Sequence, residues 1–410
     1  MEHGEREEQQ IGVDNEDERQ PLLPRQQPTT NSLRRGREQQ EAGKLTKFVL
    51  CVFKFCFGSL GLWGNQAWNY IPRVAVYVIC IYQAVYDFYV VVGCPGFDCG
   101  FLQNSTNKNH SHHKDDRQIA NTVYTIASVG AVLSYSLFIC CFMRATRKES
   151  ALVPPVDNMA DDLHEKDAWK LCLYFGFISA FYLCSVVVFY AIVWGQKRGR
   201  FFDILTTGVA AQFIAQWTAI TTCHVFAVSA YSLGTFAKDA HRLIQNLQNG
   251  TLDDIIRIHE NLCTVVFNTV SVYKWWFVLH WTTYGADVIL TVIYLSMEFH
   301  SRTKYGTPVL NLIYLCLFFV CHLYLFLVPC IFAARITSCC TSVYEKINFT
   351  TSADWDEGHP FQDRRVLALF ISYAKDRQCG FKIGRIRFNT SLAWLSFFFG
   401  LTGLLYHFIQ

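Results

Sequence analysis

The chain has 410 residues, 51% of them hydrophobic and only 17% charged, against about 25% charged in an average soluble domain. That deficit argues against a soluble enzyme and for a membrane protein. A net charge of +3 with no dense basic patch lacks the electrostatic footprint of a nucleic-acid binder, so the expected partners are the lipid bilayer and small molecules.

Residues 1–44 are rich in Glu, Gln, Arg and Asp, cannot bury a core and lack the apolar run of a signal peptide, which predicts a disordered cytoplasmic tail. Within it, Glu18-Arg-Gln-Pro-Leu22-Leu23 matches the acidic dileucine pattern E-x-x-x-L-L, which presents two leucines and an acid to a clathrin adaptor. Pro21 favours the extended backbone this requires. The pattern predicts a multi-pass protein of the cell membrane that cycles through endosomes or lysosomes.

The second domain, 45–410, is expected to be all-α. Leu45–Trp63, with Lys44 just before it and Lys47 and Lys54 within it, sets a basic stripe beside apolar residues, as in a helix lying in the headgroup layer. Seven segments then satisfy the length rule for a spanning helix: Pro72–Gly93, Gln118–Met143, Leu171–Trp194, Ile204–Phe236, Trp275–Met297, Val309–Ala334 and Phe388–Ile409. Lysine and arginine do not orient them, because per residue the two sides are nearly equally basic. The sequons at Asn104 and Asn109, paired in the loop after the first span, favour a cytoplasmic amino terminus. A lumenal loop there would allow a Cys94–Cys99 disulfide. Most of the 17 cysteines fall in apolar runs, where they act as small hydrophobes. No metal site or cofactor is expected: His110-Ser-His-His113 is poorly preorganised for a metal. No nucleophile with an oriented base, phosphate loop or paired carboxylates is visible, so no catalytic residues are assigned.

The segments between the later spans are helical. Thr251-Leu-Asp-Asp254 reads as a capping box with Asp in place of Glu, after which Leu252, Ile255, Ile256, Leu262, Val266 and Val270 recur at helical spacing into the fifth span. The fourth span likewise continues through Lys238, and Arg364–Lys375 is amphipathic. Together they predict a packed cytoplasmic base. Cys339 and Cys340, beneath the sixth span, read either as acylation sites or as buried thiols.

Ionisable groups at membrane depth are functional candidates because they are costly unless they face protein or water. Asp87 lies in the first span and Asp287 near the middle of the fifth. Asp287 with Trp281 and Tyr284 suits either a ligand pocket or a structural hydrogen bond to a neighbouring helix. Gln212, Gln216 and Trp217 in the fourth span face the same cavity or act as interhelical glue. His224, His280 and His322 read as core histidines.

The amphipathic pre-helix, the seven spans, the Ile258-His-Glu-Asn-Leu262 stretch and the carboxyl-terminal runs Phe381–Phe388 and Thr402–Gln410 resemble a gustatory-receptor-like member of the insect chemoreceptor superfamily. The resemblance implies a homotetrameric, ligand-gated, nonselective cation channel that passes monovalent and divalent cations and holds its ligand pocket in the outer half of each subunit. The family's terminal signature is matched loosely: Thr402 and Gln410 are one residue too far apart, Gly403 replaces a Tyr, and the sequence ends before the final Phe. Read from the residues alone, Thr402, Tyr406 and Gln410 recur every four residues with Ile409 as a hydrophobic constriction, or else belong to a packing helix. Two other functions stay open: an endolysosomal proton-coupled transporter using Asp87 and Asp287, and a nonconducting receptor or scaffold.

Overall fold

The chain divides into two units, Met1–Leu45 and Thr46–Gln410. A computed structural model describes, within the second unit, residues 51, 55, 58, 60–61, 70–93, 125–126, 129–141, 165–196, 209–245, 247, 251–305, 309–348, 361 and 363–392. The dileucine segment (Glu18, Leu22, Leu23), the loop carrying Cys94, Cys99, Asn104, Asn109 and His110–His113, and the terminal residues Thr402, Tyr406, Ile409 and Gln410 lie outside the described residues.

The described helices are α1 (Tyr70–Gly93), α2 (Val129–Cys141), α3 (Glu165–Gln196), α4 (Val209–Gln245), α5 (Leu252–Tyr305), α6 (Val309–Asn348) and α7 (Arg364–Arg377). Four of them, α3 to α6, are long and apolar enough to cross a membrane, and α1 and α2 supply the shorter apolar stretches Tyr70–Tyr86 and Val129–Cys141. The architecture is an all-helical polytopic bundle.

Helix α5 organises it. Its 54 residues reach about 80 Å at 1.5 Å per residue, far beyond a hydrocarbon layer of about 30 Å, so a large part extends outside the bilayer. The start is fixed as the sequence predicts. Asp254 N–H donates to Thr251 Oγ1 at 3.3 Å, and Asp254 Oδ2 accepts from Thr251 N–H at 3.2 Å, so the box satisfies donors at both ends of the first turn. From there Ile255, His259, Leu262, Val266, Thr269, Tyr273, Trp276, His280, Tyr284, Asp287 and Thr291 are all buried. Their spacing of three and four keeps one face turned inward along the whole rod. The opposite face is exposed at Phe267, Trp275 and Ile289.

Helix α4 is the most enclosed of the four spanning candidates. It packs against α1, α3, α5 and α6, and small residues such as Ala215, Ala219, Ala227 and Ala230 let its neighbours approach. At one end the extensions of α5 and α6 meet α7 in a basal layer. Asp363 caps α7, its Oδ1 accepting from the N–H groups of Arg365 and Val366 at 2.7 and 2.8 Å. The helix buries Leu367, Phe370, Ile371 and Ala374, the face its amphipathic pattern predicts. His259 of α5 lies edge-on between the rings of Phe370 and Tyr373. On the outside Glu260 and Arg377 pair at 2.7 Å. Burial first, then the Glu260 carboxylate, push the Tyr373 phenol above its ordinary range.

One element departs from the all-α expectation. After Gln378 ends α7 in the left-handed region, the chain forms a two-stranded antiparallel hairpin, β1 (Lys382–Ile383) and β2 (Ile386–Arg387), turning at Gly384 with φ of +59°. Phe381 and Phe388 flank it. Phe388 N–H donates to the Phe381 carbonyl at 3.0 Å, and Phe381 N–H donates to Thr337 Oγ1 of α6 at 3.0 Å. The two rings enter the core against Phe277, with Phe226 on one side and Trp281 on the other. The hairpin thereby fixes where the next helix begins. That helix opens at Thr390 with Asn389 as its cap, Leu392 N–H donating to Asn389 Oδ1 at 2.9 Å. Asn389-Thr-Ser391 also reads as a sequon, but its amide serves here as a helix cap.

Candidate functional site

Polar side chains collect on one line through the middle of the α4–α5–α6 core, at three levels. The α5 members, Tyr273, His280 and Asp287, are seven residues apart, so the stripe that buries apolar side chains presents a polar one every second turn.

At the first level Asp287 pairs with His322 of α6 through Oδ2 and Nδ1, both side chains fully buried. The other imidazole nitrogen, Nε2, lies 3.1 Å from the Gln216 amide nitrogen of α4. One tautomer satisfies both contacts: Nδ1–H donates to the carboxylate and Nε2 accepts from the amide. The imidazole is held between rings, Phe318 at 3.8 Å centroid distance and Tyr284 edge-on at 5.8 Å. Asp287 Oδ1 and Thr291 Oγ1, one turn apart on α5, have no hydrogen bond among the described residues. The cluster therefore retains unused acceptor capacity where a bare charge is most costly.

At the second level His280 completes a defect in its neighbour. Pro329 inside α6 has no N–H, so the carbonyl four residues earlier, Leu325, loses its helical donor. His280 Nε2 donates to that carbonyl from α5 at 3.0 Å, with Cys223 Sγ of α4 at 3.2 Å from the same nitrogen. Beside it His224 donates through Nδ1 to the Ile220 carbonyl at 2.7 Å and accepts at Nε2 from the Tyr324 hydroxyl at 2.8 Å. At the third level the hydroxyls of Ser229 and Tyr273 join α4 to α5 at 2.8 Å.

The structure thus brings Gln216, Tyr284 and Asp287 together and adds His322 as their centre. It turns Trp217 and Trp281 elsewhere: Trp217 packs on Phe175 and Tyr182 of α3, and Trp281 stacks on Phe326 and meets Phe388 beside the hairpin. The physical reason is angular. At 100° per residue Trp281 and Asp287 sit about a third of a turn apart on α5. Asp87 and Gln212 lie on α1 and α4, with side chains outside the described residues. Of the sulfur candidates, Cys340 is buried and Cys339 half-buried.

His322, Thr291, Phe318 and Cys223 were not singled out as site residues from the sequence. The signal that reveals the line is the seven-residue repeat His259, Val266, Tyr273, His280 and Asp287, visible only when polar residues are counted in the periodicity of α5 together with apolar ones. The identity of the α6 partner has no local signal. Chemically the line is a set of helix-to-helix joints: three histidines, a carboxylate, an amide, a thiol and the hydroxyls of Tyr324, Ser229 and Tyr273, which together fix the register of α4, α5 and α6.

No protein-family model and no curated protein matches this sequence. In three dimensions the chain is similar to the insect olfactory receptor OR5 from Machilis hrabei in complex with eugenol, with a TM-score of 0.57 over 89% of this chain and 97% of that one, at 11% sequence identity. A second structure of that receptor gives a TM-score of 0.57 over 88% of this chain and 97% of the other, again at 11% identity. The likeness establishes the fold: a polytopic helical membrane architecture of the insect olfactory receptor type, followed almost end to end.

Proposed function

We propose that the chain is a gustatory-receptor-like subunit of a homotetrameric, ligand-gated, nonselective cation channel. The observation that carries this reading is the near-complete sharing of an olfactory-receptor fold, joined to a hairpin that ties the start of the last span to the α4–α6 core. In this reading a small-molecule ligand biases the packing of α4, α5 and α6. Gln216, Tyr284 and Asp287 act through the joint with His322, and Gln212, one turn before Gln216 on α4, is a further candidate for the ligand; Trp217 and Trp281, turned toward α3 and the hairpin, are not part of that joint. The last span lines the path through Thr402, Tyr406, Ile409 and Gln410, with Ile409 as a constriction closed by dewetting.

The test is electrical. Ile409→Ser should raise basal cation current without ligand, and Gln410→Lys in that background should suppress it by setting like charges around a narrow axis. Whole-cell currents are recorded in cells where every variant is verified at the surface. A silent Ile409→Ser in a surface tetramer removes the channel reading.

The buried Asp287–His322 pair favours a second reading, a proton-coupled transporter, because it is an ionisable pair at membrane depth. Substrate uptake driven by a pH gradient, abolished in Asp287→Asn and accompanied by no ion current, would select it. Neither current nor uptake would leave the receptor or scaffold reading.

In the channel reading the tail and basal layer face the cytosol and the loop of Asn104 and Asn109 faces the lumen or exterior, where Cys94 and Cys99 form a disulfide. Deglycosylation is expected to shift gel mobility, and Asn104→Gln with Asn109→Gln to abolish that shift. Surface biotinylation of the same cells reads the traffic: Leu22→Ala with Leu23→Ala should raise surface density by blocking adaptor capture that also depends on Glu18. A glycan shift that survives the double replacement reverses the orientation, and unchanged biotinylation removes the sorting motif.

A further inference from the structure

Among the described residues Asp287 is the one buried carboxylate, and no lysine or arginine is buried with it to offset the charge. His322 does not offset it either. In the tautomer that satisfies both of its contacts the imidazole is neutral, Nδ1–H donating to the carboxylate and Nε2 accepting from Gln216. The histidine engages Oδ2. The second oxygen, Oδ1, is buried without a hydrogen bond, and so is Oγ1 of Thr291, one turn further along α5.

Thr291 behaves unlike the other threonines of the core. Six are buried among the described residues. Five of them, Thr218, Thr221, Thr222, Thr269 and Thr337, donate back to a carbonyl three or four residues earlier in their own helix. Thr291 does not, although the Asp287 backbone carbonyl stands four residues before it. A buried hydroxyl that forgoes this local bond is costly unless another group meets its oxygen. A proton on Asp287 would cancel the charge and leave the threonine unanswered. A cation between the two oxygens answers both.

We propose that Asp287 Oδ1 and Thr291 Oγ1 bind a sodium ion, with water completing its shell. Residues four apart on a helix have Cβ atoms about 5–6 Å from one another, so one small cation reaches both oxygens. A single carboxylate balances a monovalent ion and leaves a divalent one in excess, and a pair of oxygens without a free nitrogen or thiolate does not suit transition metals. One turn beyond Thr291, Leu295 packs with Leu312 and Leu315, so apolar side chains screen the site from that end of α5 and the attraction between ion and carboxylate is little weakened by water. Bound sodium holds the carboxylate in place against His322 and so steadies the joint of α4, α5 and α6. The inference goes beyond conduction and does not rest on it.

The test follows thermal loss of the monodisperse peak of the full-length protein in detergent while sodium chloride replaces choline chloride at constant ionic strength. Sodium is expected to raise the midpoint saturably. Thr291→Val, which keeps the shape and removes the hydroxyl, should raise the half-saturating sodium concentration about tenfold, Thr291→Ser should restore it, and Asp287→Asn should abolish the response. Should Asp287→Asn fail to fold, binding of radioactive sodium to the unmodified protein and to Thr291→Val makes the same comparison. A midpoint that does not change when sodium replaces choline, or a sodium response unaltered in Thr291→Val, overturns the proposal. So does stabilisation that follows acidification and ignores sodium, because the site then takes a proton. Failure of the channel reading shows instead as a silent Ile409→Ser and leaves these midpoints where they are.

Discussion

Replacing His322 with leucine is expected to destabilise the folded protein by about 3–5 kcal/mol, because it strands the Asp287 carboxylate in the membrane core. Asp287→Leu should cost less, since it leaves a neutral imidazole that still accepts from Gln216. The double replacement, Asp287→Leu with His322→Leu, should recover most of the loss, because two apolar side chains of similar volume need no desolvated partner. The ordering is the content of the prediction: the histidine variant worst, the aspartate variant intermediate, the double variant closest to the parent. Thermal loss of the monodisperse peak in detergent reads it. A double variant as unstable as His322→Leu would mean that the two side chains are not coupled.

The second large effect concerns His280 and Pro329. His280→Leu removes the donor to the Leu325 carbonyl and leaves it unpaired in the core, a cost of about 1–3 kcal/mol. Pro329→Ala restores an N–H to α6 four residues after that carbonyl, so the helix can satisfy it internally. In the Pro329→Ala background His280→Leu should therefore cost clearly less than it does alone. The same thermal measurement closes the cycle. Strict additivity of the two replacements would show that His280 does not compensate for the proline.

Both predictions arise from contacts that link residues far apart in the chain, and this separates what was legible in the sequence from what was not. Local chemistry was legible. The capping box at Thr251 and Asp254 appears with the bonds its spacing implies, the amphipathic run from Arg364 forms α7 with the expected face inward, and the fourth and fifth spans continue into long extensions. Each depends on residues within one or two turns, where the period of the helix fixes geometry. Membrane character was legible for the same reason, since a run of apolar residues needs no partner to declare itself.

The sequence alone determined that this is a polytopic helical membrane protein, with its later spans extended into a base and with Asp287 a costly group in the fifth of them. Only the tertiary structure decided what answers that cost. Periodicity says which face of α5 turns inward, but the occupant opposite depends on how α4 and α6 cross it. That crossing brings His322 and Gln216 to Asp287, sends His280 to a carbonyl orphaned by a proline on another helix, and turns Trp281 toward the hairpin. The hairpin itself was illegible because four strand residues carry almost no pattern of their own. It exists because Phe381 and Phe388 are anchored in a core built by residues more than a hundred positions earlier, such as Phe226 and Phe277.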